Sequence, residues 1–253
     1  MDLTDYPGVL LVISLAALWL SVRLGVHLRR RRAQLVGSER EDLGVVLNAT
    51  LTLLALIIGF SLSMATGRYD QRKNYEEAEA NAIGTEYVRV ALLPAADAAK
   101  ARHLLKGYLD QRVLFYTTRN TARLDSINAA TSRLQDDLWS VVQGPCAAQP
   151  TPVSALILSG MNDVLNSQGY TQAAWWNHIP TGVWVLMAVV AIFGNLLFGY
   201  SAHLELRSGM FVGLPALISV SFFLLADLDS PRGGMIQVKP QNLLSVSSSL
   251  GTP

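Results

Sequence analysis

The sequence predicts an all-α integral membrane protein, with four transmembrane helices in two hairpins and a helical extramembrane region between them. Three observations carry that prediction. Of 253 residues, 51% are hydrophobic and only 15% are charged, where ordinary soluble domains carry about 25% charged residues. The charge is also uneven: four windows come near the roughly 20 apolar residues that a helix needs to cross the hydrocarbon, while the middle of the chain is as charged as a soluble helical protein. Lastly, no alternation of apolar and polar residues is long enough to mark a strand, and no repeat is visible.

The first span covers residues 7–26, with Arg23 near its end, where a long side chain can snorkel to the interface. A cleaved signal peptide is the rival reading. Asp2 and Asp5 precede the span where a signal wants positive charge, and Arg29, Arg30, Arg31 and Arg32 follow it, so a retained anchor is expected. The second span, residues 43–66, has no charged residue. The third covers residues 181–202 behind Pro180, and the fourth residues 209–226. The connections 29–42 and 203–208 are short and polar, so within each pair the helices are antiparallel neighbours. Tyr6, Trp175, Trp176 and Tyr200 lie near span ends, as an aromatic belt requires. The expected organisation is a first hairpin at 1–66, a helical stalk at 67–179, a second hairpin at 180–227 and a tail at 228–253. Arginines in short loops stay cytoplasmic. That places the amino terminus and the stalk outside, in a multi-pass protein of a bacterial inner membrane, although Arg68, Arg72 and Lys73 on the other side narrow the contrast.

Between the hairpins, residues 67–93 are good helix formers, and Pro94 ends them. Leu104, Leu105, Tyr108, Leu109, Arg112, Val113 and Tyr116 then mark one face of a second helix at spacings of three and four. Leu124, Ile127, Leu134, Leu138 and Val141 give another stripe. Residues 144–152 read as a loop on Pro and Gly content, with Cys146 idle in it. Leu158, Met161, Val164 and Leu165 form an amphipathic helix leading into the third span. No flexible linker separates Thr66 from Gly67, so the second span is expected to continue out of the membrane as one long helix.

Several functions are disfavoured. Net charge is +1 and no basic domain stands apart, so nucleic acid has no electrostatic footprint. One cysteine excludes an internal disulfide and a multi-cysteine metal site. His27, His103, His178 and His203 are scattered, and there is no phosphate loop, nucleophile elbow or glycine fingerprint. No catalytic residue, metal or cofactor is expected.

The informative element is the second span. Asn48, Thr52, Ala55, Gly59, Ser63 and Thr66 recur at spacings that place them on one side of a helix, and that side is small and polar. Leu47, Leu51, Leu54 and Ile58 on the opposite side suit lipid. The polar side can line a water-filled path in an oligomer, or it can permit close packing between helices, which is the simpler reading of the spacing alone. Gly194 and Asn195 in the third span pose the same choice. Arg68 and Arg72 stand at the mouth of the span, where a ring of them would concentrate anions; interfacial anchoring is the plainer role. Glu79 and Glu86 are seven residues apart and share a face, solvated or paired with arginines of a neighbouring helix. After the fourth span, Asp227 and Asp229 either cap backbone N–H groups and pair with Arg68 or Arg232, or bind a cation. Two carboxylates are few for a calcium site of six to eight oxygens, which favours the structural role.

The segments GFSLSMATGRYDQRKNYEEAEANAIGTEYVRVALLP (residues 59–94) and LADLDSPRGGMIQV (residues 225–238) resemble the bestrophin-like family of bacterial and plant membrane proteins. The likeness is specific in these two segments and covers nearly the whole chain as a pattern. It implies distant kinship with bestrophins, which are oligomeric anion channels whose second span lines the pore, and so places the lining reading of Asn48, Thr52, Gly59, Ser63 and Thr66 above the packing one. It also lends a cation role to Asp227 and Asp229, by analogy with the acidic segment after the last span of animal bestrophins. Bestrophin necks are bulky and apolar, unlike this face, and Phe60 and Met64 are the nearest candidates for a constriction. Bestrophins also hold their extramembrane helices in the cytoplasm, opposite to what the arginine run implies here. The resulting expectation is a homo-oligomeric channel in the lipid bilayer that passes small inorganic ions, anions such as chloride foremost. The alternative is a non-conducting scaffold or sensor whose helical region binds a protein or envelope partner.

Overall fold

A computed structural model of the chain describes residues 5–31, 37–201 and 210–251. Eight α-helices make up nearly all of them: α1 (Pro7–Arg30), α2 (Gly37–Arg89), α3 (Ala95–Thr117), α4 (Thr121–Ala148), α5 (Pro152–Trp176), α6 (Thr181–Ser201), α7 (Met210–Asp229) and α8 (Gln241–Gly251), with a 3-10 turn Val90–Leu92 after α2. No strand occurs among the described residues. The expected 203–208 connection, with His203, lies outside the described residues, as do Asp2 and Arg32.

The helix ends follow from local chemistry. Pro7 opens α1, where its missing N–H costs nothing. Asn120 caps α4 by accepting from Ala122 N at 2.9 Å, and Thr151 caps α5 by accepting from Ser154 N at 3.1 Å. The loop expected over residues 144–152 is much shorter, because α4 runs on through Pro145 to Ala148. Val141, Val142 and Cys146 are all buried on its inner face. Their burial carries the helix across a proline whose lost hydrogen bond falls only one turn before the end. Cys146 is therefore a buried helical residue, 4% exposed, and not an idle loop residue.

The chain divides into two compact units, Met1–Arg68 with His178–Gln237 and Tyr69–Asn177 with Val238–Pro253. The first holds α1, the leading part of α2, α6 and α7, packed on Leu18, Leu54, Met187, Ala191, Phe222 and Leu225. α1 and α6 touch backbone to backbone. A Cβ on Gly25 would collide with the Leu196 carbonyl oxygen and lie 2.8 Å from Tyr200 N, and one on Gly199 would collide with the Val22 carbonyl. Two glycines, one on each helix, therefore permit the approach. Arg23 does not reach away from its helix but lies over the Trp19 ring, 4.8 Å from its centroid. Membrane-side hydroxyls mostly serve their own helices: Ser21 donates to Ala17 O at 2.8 Å and Thr50 to Val46 O at 2.8 Å. Asn195 does the same, donating to Ala191 O at 2.8 Å.

The second unit holds the last part of α2 with α3, α4, α5 and α8. Much of the α3 stripe expected from spacing is its core: Leu105, Tyr108, Leu109 and Tyr116 are buried with Ile83, Leu138, Val142, Met161 and Val164, joined by Phe115, which the stripe did not include. Phe115, Tyr116 and Trp175 form an aromatic cluster with ring centroids 4.9 to 5.5 Å apart.

Candidate functional site

The candidate site is the face of α2 that carries Asn48, Thr52, Ala55, Gly59, Ser63 and Thr66. Helical geometry of about 3.6 residues per turn sets these on one side, and all six are exposed. Only 6% of the apolar window of α2 is buried, against 28% for α1 and 39% for α7. Gly59 shows how open the face is, because a Cβ there would meet nothing within 4 Å. Phe60 is 72% exposed and Met64 41% exposed, and they lie about 100° and about 140° around the helix from Gly59.

The side expected to meet lipid does the reverse. Leu54 is buried at 2% exposed, and Leu47, Leu51 and Ile58 are half-buried. Leu51 reaches α6, where a Cβ on Gly194 would lie 3.3 Å from its Cδ2. Bulky apolar side chains pack in the cluster with α6 and α7 because they supply more dispersion contacts than small polar ones, which leaves the small polar side uncovered. Among the described residues of this chain the polar face is exposed, so the packing reading finds no partner helix there.

Neither arginine expected at the mouth stands on that face. Nine and thirteen residues beyond Gly59, Arg68 and Arg72 fall on the opposite side of the helix. Arg68 pairs with Asp229 at 3.4 Å, and Arg72 is buried at 1% exposed. The exposed side continues instead through Asp70, Lys73 and Glu77.

The segment after α7 is a hydrogen-bonded hub. Both oxygens of Asp229 accept from Ile179 N at 3.0 Å, and His178 Nδ1 lies 3.6 Å away. Asp229 thus ties the end of α7 to α2 and to the entry of α6. Asp227 accepts from Met235 N at 2.6 Å and Ile236 N at 2.9 Å, and Gly234 lies so close to its carboxylate that a Cβ would sit 2.9 Å from Oδ1. Gln237 closes the turn by donating to Arg232 O and Gly234 O, both at 2.9 Å. Both aspartates are 1% exposed and spend their oxygens on their own chain. Among the described residues no three His, Cys, Asp or Glu side chains cluster as a metal would need.

In the second unit, sequence reasoning left one network unassembled. Glu79 of α2 takes a short ion pair from Arg112 Nε and accepts from Tyr116 Oη and Thr171 Oγ1, each at 3.2 Å. Arg112 and Glu79 are fully buried. Burial alone would lower the guanidinium's hold on its proton, but Glu79 beside it more than offsets that and raises it above its ordinary value. Burial, with the Glu79 charge, raises both Tyr108 and Tyr116 above the usual phenol range. The signal was present in the sequence: an arginine inside the apolar stripe of α3, facing a helix with glutamates at spacing seven. Glu76 on the same face accepts from Leu243 N at 3.0 Å and Asn242 Nδ2 at 2.7 Å, which caps α8.

An apolar groove of the first unit, about 540 Å³, lies between α1 and α6 against Leu10, Ile13, Ala17, Trp184 and Val185. It is away from the polar face of α2, and its walls match hydrocarbon.

Residues 8–243 match the bestrophin-like domain family. No curated protein matches the chain. Among solved structures the fold is similar to a bacterial bestrophin homologue from Klebsiella pneumoniae. One variant of that protein superposes with a TM-score of 0.65 at 15% identity over 95% of this chain and 97% of the other. Its zinc-phased structure gives 0.60 at 16% identity over 94% and 97%. A second crystal structure, described only as a membrane protein, gives 0.65 at 14% identity over 95% and 97%. At such identities the likeness is one of fold, and the apolar spans make the chain a membrane protein. With the family matched from Gly8 to Leu243, this chain belongs to the bestrophin-like family.

Proposed function

We propose that the chain is the subunit of a homo-oligomeric ion channel, selective for anions, with Asn48, Thr52, Gly59, Ser63 and Thr66 lining the path and Phe60 and Met64 at its narrowest level. The observation that carries this reading is the uncovered small polar face of α2 along the whole apolar span. A stripe of hydroxyls and an amide facing lipid would forgo hydrogen bonds that water or ions supply, so self-assembly around α2 gives the face an aqueous side. Family membership supports the same reading. The exposed run beyond the span mixes Asp70, Lys73 and Glu77, and anion preference therefore rests on Lys73 more than on Arg68 or Arg72, both turned inward. Asp227 and Asp229 hold the turn after α7 in this reading rather than a cation. The bilayer is a bacterial inner membrane, with the amino terminus outside.

Flux through purified protein in liposomes tests it. Wild type should pass halide faster than cations, and Gly59→Leu should lower halide flux at least about tenfold with the oligomer intact by cross-linking. A folded wild-type oligomer that passes no ion, or a Gly59→Leu variant that conducts normally, refutes the pore assignment. Dissociation of Gly59→Leu would instead make the face a contact between subunits.

A further inference from the structure

Glu79 and Glu86 sit two turns apart on one buried face of α2 and have opposite surroundings. Glu79 has a guanidinium, a phenol and a threonine hydroxyl on its carboxylate. Glu86 is equally buried at 0% exposed, yet neither of its oxygens accepts a hydrogen bond. A carboxylate so placed is costly to keep charged, and a proton is the ligand that removes the cost.

We propose that Glu86 is a proton-binding site: its carboxyl is neutral at neutral pH, and loss of the proton at alkaline pH loosens the packing of α2 against α4 and α5 around it.

The groups facing it agree. On α2 the cation is Arg89, whose Nη1 is 3.9 Å away, on a side chain 28% exposed, a geometry that supplies little. On α5 there is the acidic Asp163, and Gly160 makes the space, since a Cβ there would strike Glu86 Oε2 and lie 3.0 Å from its Cδ. On α4 it is Cys146, whose thiol is pushed up by burial and further by the Glu86 charge. On α3, Arg102 is engaged with the Tyr87 carbonyl at 3.3 Å and with its ring at 5.1 Å. α8, which approaches through Val246 near Gly84, and the turn Val90–Leu92 carry no titratable side chain. Burial raises Glu86 from the ordinary 4.5 to about 8, with Arg89 opposing and Asp163 adding. Because the folded carboxyl binds its proton where the unfolded one has lost it, stability falls as pH rises between these two values, and the loss is complete above the upper one. The site does not depend on the channel reading.

Two readouts on the full chain in detergent test it. Infrared titration should show a protonated-carboxyl band lost near pH ~8 in wild type and missing from Glu86→Gln, which stays neutral at all pH. Alkylation of Cys146 reports the loosening, read as the wild-type rate per thiolate divided by the Glu86→Gln rate per thiolate, with the thiolate fraction measured in each protein because the Glu86 charge also raises the thiol. That ratio should be near one at about pH 6 and rise at least about tenfold by about pH 9.5. Arg89→Gln should move the wild-type band to higher pH and Asp163→Asn to lower pH, so the site stays testable should Glu86→Gln fail to fold. No protonated band, or a midpoint that both charge variants leave unmoved, overturns the proton site. A band that titrates while the ratio stays at one keeps the site and overturns the loosening.

Discussion

α2 contains two stretches of opposite composition, and each has the burial that its composition would seem to forbid. Residues 43–66 are apolar and almost uncovered, whereas among residues 69–89 the side chains of Arg72, Glu76, Glu79 and Glu86 are buried. In the first stretch, exposure costs little where the surrounding medium is hydrocarbon, and it exposes a polar stripe that a neighbour or an aqueous path must meet. In the second, charge is buried at a cost that each residue offsets differently: Glu79 by an ion pair, Glu76 by the end of α8, and Glu86 by a proton. A hydropathy profile thus shows which solvent a segment meets and is silent on which side chains another helix covers.

The comparison can be pressed hardest at Glu79. Arg112→Ala leaves a buried carboxylate uncompensated, and thermal unfolding in detergent should show the second unit destabilised by about 3–5 kcal/mol. A loss below about 1 kcal/mol would mean that the pair is solvated and the burial contrast is false. Glu76→Ala removes the acceptor of two donors at the start of α8 and should cost about 1–3 kcal/mol. Hydrogen exchange should localise that change to α8, and protection left intact there would show that α8 is held by its apolar contacts alone. The smallest effect belongs to the uncovered stretch. Gly59→Leu should change stability by no more than about 0.5 kcal/mol whatever it does to flux, because a Cβ there meets nothing within 4 Å.

Much of the architecture was legible from spacing. The four apolar windows fall on helices, α2 is continuous from Gly37 to Arg89, and the α3 stripe is the core of its unit. These features rest on periodicity, which is local. What escaped depends on pairing across the chain. The side of α2 that meets other helices was inverted because a leucine suits lipid and a helix surface equally well. Arg112 was recognised as part of an apolar stripe without being read as a buried cation, since its partner is 33 residues away. The loop expected at residues 144–152 is shorter in the structure because Pro145 breaks local rules that Val142 and Cys146 override by burial. For Asp227 and Asp229 the sequence favours capping or pairing over a cation, and their carboxylates accept from the backbone N–H groups of Met235, Ile236 and Ile179, with Arg68 alongside Asp229.

The contact of Gly25 with Gly199 has a consequence for biosynthesis. The two glycines are more than 170 residues apart in the chain. α1 therefore enters the bilayer long before the glycine-bearing surface of α6 that meets it has been synthesised, and its glycine notch stays open until α6 follows. Closure of the first unit is a late event of high contact order. A nascent chain stalled before residue 180 would carry an anchored but unclosed α1, the kind of intermediate that membrane quality control is positioned to remove.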